Sequence, residues 1–104
     1  MKFKDLEFKV REYGSVGDIC YSKGGVGAQH TFDNGITISV QASKINYSTP
    51  KENLPSADDF SLFEVALWDK DGEWVTKEFF PDHNDDVAGW QSRKNINNLI
   101  EKLS

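Results

Sequence analysis

The sequence contains little of what marks a secreted, membrane-bound or disulfide-stabilised protein. It has a single cysteine, Cys20, which cannot form an internal disulfide. No apolar run approaches the roughly 20 residues that span a bilayer. Charged residues at positions 2, 4 and 5 interrupt the apolar stretch that a signal peptide requires. These absences predict a protein of the reducing cytoplasm with no membrane partner.

Positive charge is also scarce across one long stretch of the chain. Residues 52–86 contain 11 acidic residues against two lysines, a formal charge of −9, whereas the remainder carries +4. A field concentrated in this way attracts a basic surface, speeds its encounter and repels the phosphates of nucleic acid. We therefore predict a protein partner with a basic surface and no direct contact with nucleic acid.

The length of 104 residues supports a single hydrophobic core. We assign one domain to residues 1–104 and expect no deep cleft between subdomains. Leu6, Phe8 and Val10 alternate with charged residues, which predicts a strand with one buried face. Short runs at 18–22 and 28–32 flank a glycine-rich loop and predict a hairpin.

The turn at Asn34 and Gly35 allows two strand registers. A two-residue loop would pair Ile38 with Thr31, whereas a type I turn closed by Gly35 at positive φ pairs Ile38 with His30. We predict the second register because it gathers apolar groups on one face of the sheet.

Gly72 predicts a second three-residue turn, which joins strands at 62–68 and 74–80. The pairs that would face each other are Trp68 with Trp74, Leu67 with Val75, and Phe63 with Phe79. The odd-numbered residues of this hairpin would then face the core. Between the two hairpins, residues 44–60 contain two prolines and no periodicity, which predicts a long surface loop that covers a sheet edge.

The C-terminal segment predicts an amphipathic helix. Ser92 is suited to the N-cap, and apolar residues follow at helical spacing: Ile96, Leu99, Ile100 and Leu103. We expect this helix to cover the even-numbered face of the second hairpin, which carries Leu62, Ala66, Trp68, Trp74 and Phe80. The predicted fold class is therefore α+β: a twisted antiparallel sheet of five or six strands with one C-terminal helix packed on a face.

No strong catalytic, cofactor-binding or metal-binding motif is present. The first hairpin would place Cys20 opposite His30, the minimum of a nucleophile and its base, but no third residue orients them. A buried cysteine and a core histidine are the preferred interpretation. Clustered charge is usually solvated, although four residues could approach a divalent cation: Asp82, His83, Asp85 and Asp86. We predict a non-enzymatic protein with no cofactor and no metal site.

Four short segments follow one another in the part of the chain after residue 34. They are Ile-Thr-Ile-Ser-Val at 36–40, Phe-Glu-Val-Ala-Leu at 63–67, Asp-Asp-Val-Ala-Gly-Trp at 85–90 and Asn-Leu-Ile-Glu-Lys-Leu at 98–103. In this order the chain resembles small uncharacterised proteins encoded by bacteriophages and prophages, which more often carry acidic residues where Arg93 and Lys94 stand. The resemblance implies an accessory phage gene product acting in the host cytoplasm and assigns it no chemistry.

Charge and resemblance together predict an accessory protein that binds a host protein through an acidic surface, with inhibition of a host defence or nucleic-acid-processing factor as one outcome. The predicted partner-binding residues are Asp58, Asp59, Asp82, Asp85 and Asp86, with Trp68, Trp74 and Trp90 as apolar anchors. Core packing is the alternative interpretation of the tryptophans, and we favour it more for Trp74 than for Trp90. Two other functions stay open: an assembly protein that dimerises through the apolar hairpin face, and a small enzyme that uses Cys20 and His30.

Overall fold

An antiparallel sheet and a C-terminal helix make up most of the fold. The computed structural model describes residues 1–10, 25–44, 46–83 and 86–104, and the backbone alone at 14–16 and 19–21. In chain order the elements are β1 (Lys9–Val10), β2 (Gly14–Val16), β3 (Ile19–Tyr21), β4 (Val26–Thr31), β5 (Thr37–Ala42), β6 (Phe63–Trp68), α1 (Thr76–Phe79), β7 (Val87–Gln91) and α2 (Arg93–Leu103). Two short 3₁₀ turns lie at Phe3–Asp5 and Ala57–Asp59.

Five of the described strands pair in the order β1-β4-β5-β6-β7, and every pairing among them is antiparallel. β2 and β3 pair with each other as a separate two-stranded sheet. The predicted α+β class, with a five-stranded antiparallel sheet and a C-terminal helix, is confirmed.

The hairpin of β4 and β5 has the predicted register. His30 lies opposite Ile38, and the Phe32 N–H donates to the Ile36 carbonyl over 2.8 Å. Gly35 has a φ of +89°, a conformation that glycine adopts without the steric penalty of a side chain. The pairing that collects apolar residues on one face is therefore the one that the chain adopts.

The turn after β6 is also confirmed. Gly72 has a φ of +83°, and Trp68 pairs with Trp74 through an isolated bridge. The Val75 N–H donates to the Leu67 carbonyl over 2.9 Å. The chain therefore runs back along β6 for the first two residues after the turn, as predicted.

The strand predicted at 74–80 is wrong beyond Val75, because the chain leaves the sheet there and forms α1. Phe79 and Phe80 both pack against the core. Adjacent residues of a strand face opposite sides of a sheet, so a strand could not bury both rings in one core. β7 takes the place beside β6 instead, which leaves the predicted pairing of Phe63 with Phe79 unformed.

The side chain of Thr76 links Leu67 of β6 to Asp86, the residue before β7. The Leu67 N–H donates to the Thr76 hydroxyl oxygen over 2.9 Å. The same hydroxyl donates to the Asp86 carbonyl over 2.7 Å. Because Thr76 is buried, its hydroxyl satisfies polar backbone groups that would otherwise lose water without gaining a partner.

The predicted C-terminal helix is confirmed as α2. It begins at the predicted cap, where the Ser92 side-chain oxygen accepts the Asn95 N–H over 3.1 Å. Its buried residues are the four predicted ones, Ile96, Leu99, Ile100 and Leu103. They share one core cluster with the odd-numbered residues of β6, Phe63, Val65 and Leu67.

The face that α2 covers differs from the prediction. The helix packs on the odd-numbered face of β6 rather than on the even-numbered face. The even-numbered residues of β6 share their face with Thr37, Ser39 and Gln41 of β5. Packing an apolar helix stripe on that many hydroxyl and amide groups would bury polar groups without partners, whereas the opposite face of these two strands is entirely apolar. The helix therefore completes the core on the odd-numbered face. It does not cover the even-numbered face, which is called the second face of the sheet below.

The N-terminal residues supply core side chains with little strand. The 3₁₀ turn at Phe3–Asp5 replaces the first part of the predicted strand, and β1 pairs with β4 for only two residues. The Phe3 and Phe8 rings lie 5.0 and 5.8 Å from the Phe63 ring. Leu6 is buried as predicted, whereas Val10 is exposed.

The predicted pairing of Cys20 with His30 is wrong. The backbone of Cys20 lies opposite Ser15 in β2, and His30 lies opposite Ile38. β1 occupies the edge of β4 that the prediction gave to the run at 18–22. Part of that run and part of the glycine-rich loop lie outside the described residues.

Candidate functional site

Asp58 and Asp59 are exposed in the 3₁₀ turn Ala57–Asp59. The turn is fixed to the start of α2, because the Arg93 guanidinium donates to the Ala57 carbonyl over 2.7 Å. The guanidinium also lies 5.1 and 5.3 Å from the centroids of two core phenylalanine rings. The backbone turn that carries the two carboxylates is therefore attached to the start of α2.

Asp82 is exposed beside a shallow groove of about 390 Å³ between α2 and the segment after α1. Asn95, Asn98 and Lys102 line the helix side of this groove. Asp86 is exposed, and its backbone carbonyl accepts the Thr76 hydroxyl. Asp85 lies outside the described residues.

The helix separates these acids into two groups. At about 100° per residue, Arg93 and Asn97 fall on one flank of α2, whereas Asn95 and Lys102 fall on the opposite flank. The first flank contacts the 3₁₀ turn through Arg93, and the second faces Asp82 across the groove. The predicted acidic residues therefore do not converge on one patch.

The acidic side chains keep their charge available to solvent. In the part of the chain that the structure describes, Asp58, Asp59 and Asp82 form no ion pair within 4 Å. Exposed charges that lack an internal partner can be neutralised by a bound partner without first breaking a contact.

Trp68 and Trp74 lie together on the second face of the sheet. Their rings meet edge to face, with centroids 5.5 Å apart and planes at 78°. Trp68 is half-buried, and 53% of Trp74 is exposed. Trp74 is therefore not packed in the core, although core packing was the alternative interpretation that we favoured more for Trp74 than for Trp90.

Trp90 pairs with Tyr47 at the other end of β6. The ring centroids are 5.1 Å apart, and 52% of Trp90 and 45% of Tyr47 are exposed. Trp90 has a φ of +54°, which is strained for a residue with a bulky side chain. Gly89 lies so close to Tyr47 that an added Cβ would be 2.7 Å from the Tyr47 Cβ.

Glu64 fixes the loop that carries Tyr47. Its carboxylate accepts the Tyr47 N–H over 2.8 Å and the Asn46 amide over 3.2 Å. The pairing of β6 with β7 shifts register beside Glu64, between Phe63 and Val65. The shift leaves two residues of β7 opposite one of β6, which is the geometry of a bulge. Sequence reasoning missed Tyr47 and Glu64, because a register shift leaves no trace in strand periodicity.

The two aromatic pairs are distinct sites on one face. Trp68 and Glu64 are four residues apart on β6, which corresponds to ~13 Å along the strand. The tryptophans therefore share a face of the sheet, while Asp58, Asp59 and Asp82 lie around α2 on the other side. The turn at 69–73, which connects Trp68 to Trp74 and carries Asp69, Asp71 and Glu73, was not among the predicted site residues.

Among the described residues, no group of three or more His, Cys, Asp or Glu side chains is placed to hold a metal ion. No helix in the described ranges has the length and apolar character needed to cross a bilayer. A shallow depression of about 420 Å³ on the second face is lined by polar groups, among them Lys9, Gln29, Ser39 and Gln41.

Comparison with known proteins gives no match to any family model, curated protein or solved structure.

Proposed function

We propose that the protein is a non-enzymatic accessory protein of the phage type, which binds a host protein with a basic surface through its own acidic surface. The observation that carries the proposal is the state of the acidic residues. Asp58, Asp59 and Asp82 are exposed and have no ion-pair partner among the described residues. A basic partner would supply the opposite charge that the described part of the chain does not place beside them.

The exposed tryptophans support the same proposal. Tryptophan is enriched among the few residues that dominate binding energy at protein interfaces. Trp74 and Trp90 each expose more than half of their surface in the structure. Charge would speed the encounter, and the aromatic rings would prolong the complex.

The proposed setting, the cytoplasm of an infected bacterial cell, comes from the resemblance to phage-encoded proteins. Inhibition of a host defence or nucleic-acid-processing factor would follow if the acidic surface covers the basic region with which such a factor holds DNA or RNA. Many such regions are basic because they must neutralise phosphates.

A capture experiment tests the proposal. Immobilised protein is incubated with bacterial host lysate at low and high salt, together with the variant Asp58→Asn, Asp59→Asn, Asp82→Asn, Asp86→Asn. The wild type should retain a host protein at low salt, release it at high salt, and lose it in the neutralised variant. A matched variant, Lys4→Gln, Lys94→Gln, Lys102→Gln, removes exposed positive charge and should capture the same protein equally well. Capture by the neutralised variant at wild-type level would contradict the proposal.

Dimerisation through the second face of the sheet is the second candidate. The observation in its favour is the exposed Trp68–Trp74 pair, since apolar groups on a monomer surface are often interface residues. Light scattering after size-exclusion chromatography distinguishes dimerisation from the proposed binding of a host protein. A dimer that Trp74→Ala converts to a monomer favours dimerisation. The third candidate, an enzyme using Cys20 and His30, gains no support from strands that pair each residue with another partner.

A further inference from the structure

We infer that the Trp68–Trp74 pair is the docking site for an arginine-containing segment of the basic partner. The inference rests on the proposed function and deepens it, because it names where on the molecule the partner is anchored and by which chemical group. The carboxylates of the same turn, Asp69, Asp71 and Glu73, would attract the guanidinium, and this aromatic pair would hold it.

The geometry of the pair leaves an aromatic face open. The rings of Trp68 and Trp74 meet edge to face with planes at 78°, so each ring keeps surface that the other does not cover. More than half of Trp74 is in contact with solvent. The face of an indole ring is the strongest aromatic acceptor of a cation, and arginine is the cation most often found there.

The turn that carries Trp74 is rigid before any partner binds. The Asp69 carboxylate accepts the N–H groups of Asp71 and Glu73 over 2.9 and 3.0 Å. The Asp69 N–H donates to the Glu73 carbonyl over 2.9 Å, and the Gly72 N–H donates to the Asp69 carbonyl over 3.0 Å. Binding to a site held in this way loses little conformational entropy.

The charge around the pair complements a cationic ligand. The turn contributes three carboxylates, Asp69, Asp71 and Glu73, within five residues of Trp74. Lys70, the single cation of the turn, packs its side chain against the neighbouring turn, where a Cβ on Gly35 would lie 3.2 Å from the Lys70 Cβ. A guanidinium could therefore stack on an indole while its N–H groups donate to nearby carboxylates.

The Tyr47–Trp90 pair provides the contrast. The Lys51 ammonium lies 5.5 Å from the centroid of the Tyr47 ring. A cation of the chain itself already occupies that aromatic surface and would repel a second one. Of the two exposed aromatic pairs, the one on the turn at 69–73 is thus the one suited to arginine.

Nuclear magnetic resonance can test this inference because the chain has three tryptophans, each with one indole N–H signal. The ¹⁵N-labelled full chain is titrated with the peptide acetyl-Gly-Arg-Gly-Arg-Gly-amide, and with a control peptide that carries uncharged citrulline at both arginine positions. We expect the Trp68 and Trp74 signals to shift with the arginine peptide, the Trp90 signal to stay in place, and the citrulline peptide to have no effect. Unshifted Trp68 and Trp74 signals, or equal shifts with both peptides, would overturn the inference.

Affinity measurements with matched variants separate this inference from the proposed function. Trp74→Ala should weaken binding of the arginine peptide by roughly 2- to 30-fold, the range of a cation–π contact. Val10→Ala, which truncates a side chain that is 49% exposed on β1 and has no assigned binding role, should leave the affinity unchanged. If the neutralised acidic variant loses the host protein while Trp74→Ala retains it at full strength, the proposed function stands and this anchor is wrong. If neither variant affects capture, both are wrong.

Discussion

The backbone N–H of Trp90 donates to the carbonyl oxygen of Tyr47 over 2.9 Å, and the rings of these two residues lie 5.1 Å apart. The contact holds Trp90 at a φ of +54°, where a bulky residue costs about 1–3 kcal/mol. Asparagine or glycine would relieve most of that cost. An exposed tryptophan at such a position is more readily understood as a binding residue than as a structural one.

Replacing Trp90 by Asn tests the strain directly. Because Asn adopts positive φ more readily than Trp, Trp90→Asn should be more stable than the matched variant Trp74→Asn by about 1 kcal/mol. Each variant removes one equally exposed ring and one aromatic contact, so the comparison isolates the backbone. Urea denaturation measures both free energies of unfolding. A Trp90→Asn protein that is less stable than Trp74→Asn would show that the ring contact with Tyr47 outweighs the strain.

Thr76 should stabilise the fold through the hydrogen bonds of its hydroxyl group rather than through the volume of its side chain. Thr76→Val retains the volume but leaves the Leu67 N–H without its acceptor, at a cost of about 1–3 kcal/mol. Thr76→Ser retains the hydroxyl and should lose less. Thermal unfolding of both variants gives the ranking. Equal melting temperatures for Val and Ser would mean that the link from β6 to Asp86 does not contribute to stability.

The residues that the sequence predicted well are those whose role is local. Gly35 and Gly72 take positive φ, and Ser92 caps α2, because each feature depends on a few neighbouring residues. Phe79 shows why the prediction of a second strand at 74–80 was wrong beyond Val75. Its aromatic character favours a strand, but burial of two consecutive rings in one core requires a helical turn, and only tertiary packing decides between them.

The apolar stripe of α2 should contribute to the core of the whole domain. Leu99 is buried, so Leu99→Ala should cost about 2–5 kcal/mol through lost apolar contact and the cavity it leaves. Asn98→Ala, at an exposed position one residue earlier, is the control and should change stability by less than about 0.5 kcal/mol. Chemical denaturation followed by circular dichroism measures both. A Leu99→Ala protein as stable as the control would place the helix outside the cooperative core.

The sequence predicted which residue types form the candidate site better than it predicted where those residues lie. Charge counting identified Asp58, Asp59 and Asp82 as available acids, but the sequence gives no sign that α2 separates them into two groups. Tyr47 stayed unpredicted for a related reason. Its position depends on the Glu64 carboxylate and on a register shift between β6 and β7, both of which exist only after distant segments have paired.

The separation of the acids around α2 leads to the last prediction. If both flanks steer the partner, the variant Asp58→Asn, Asp59→Asn and the separate variant Asp82→Asn should each slow association, and the combined variant should slow it further. If one flank docks, one of these two variants should account for the whole effect, because exposed charges farther than about 8 Å are screened at physiological ionic strength. Dissociation should change little, since charges at the rim act mainly on encounter. Stopped-flow measurement with the captured host protein at several salt concentrations gives the rates. An association rate that changes neither with salt nor in either variant would assign binding to the tryptophans alone.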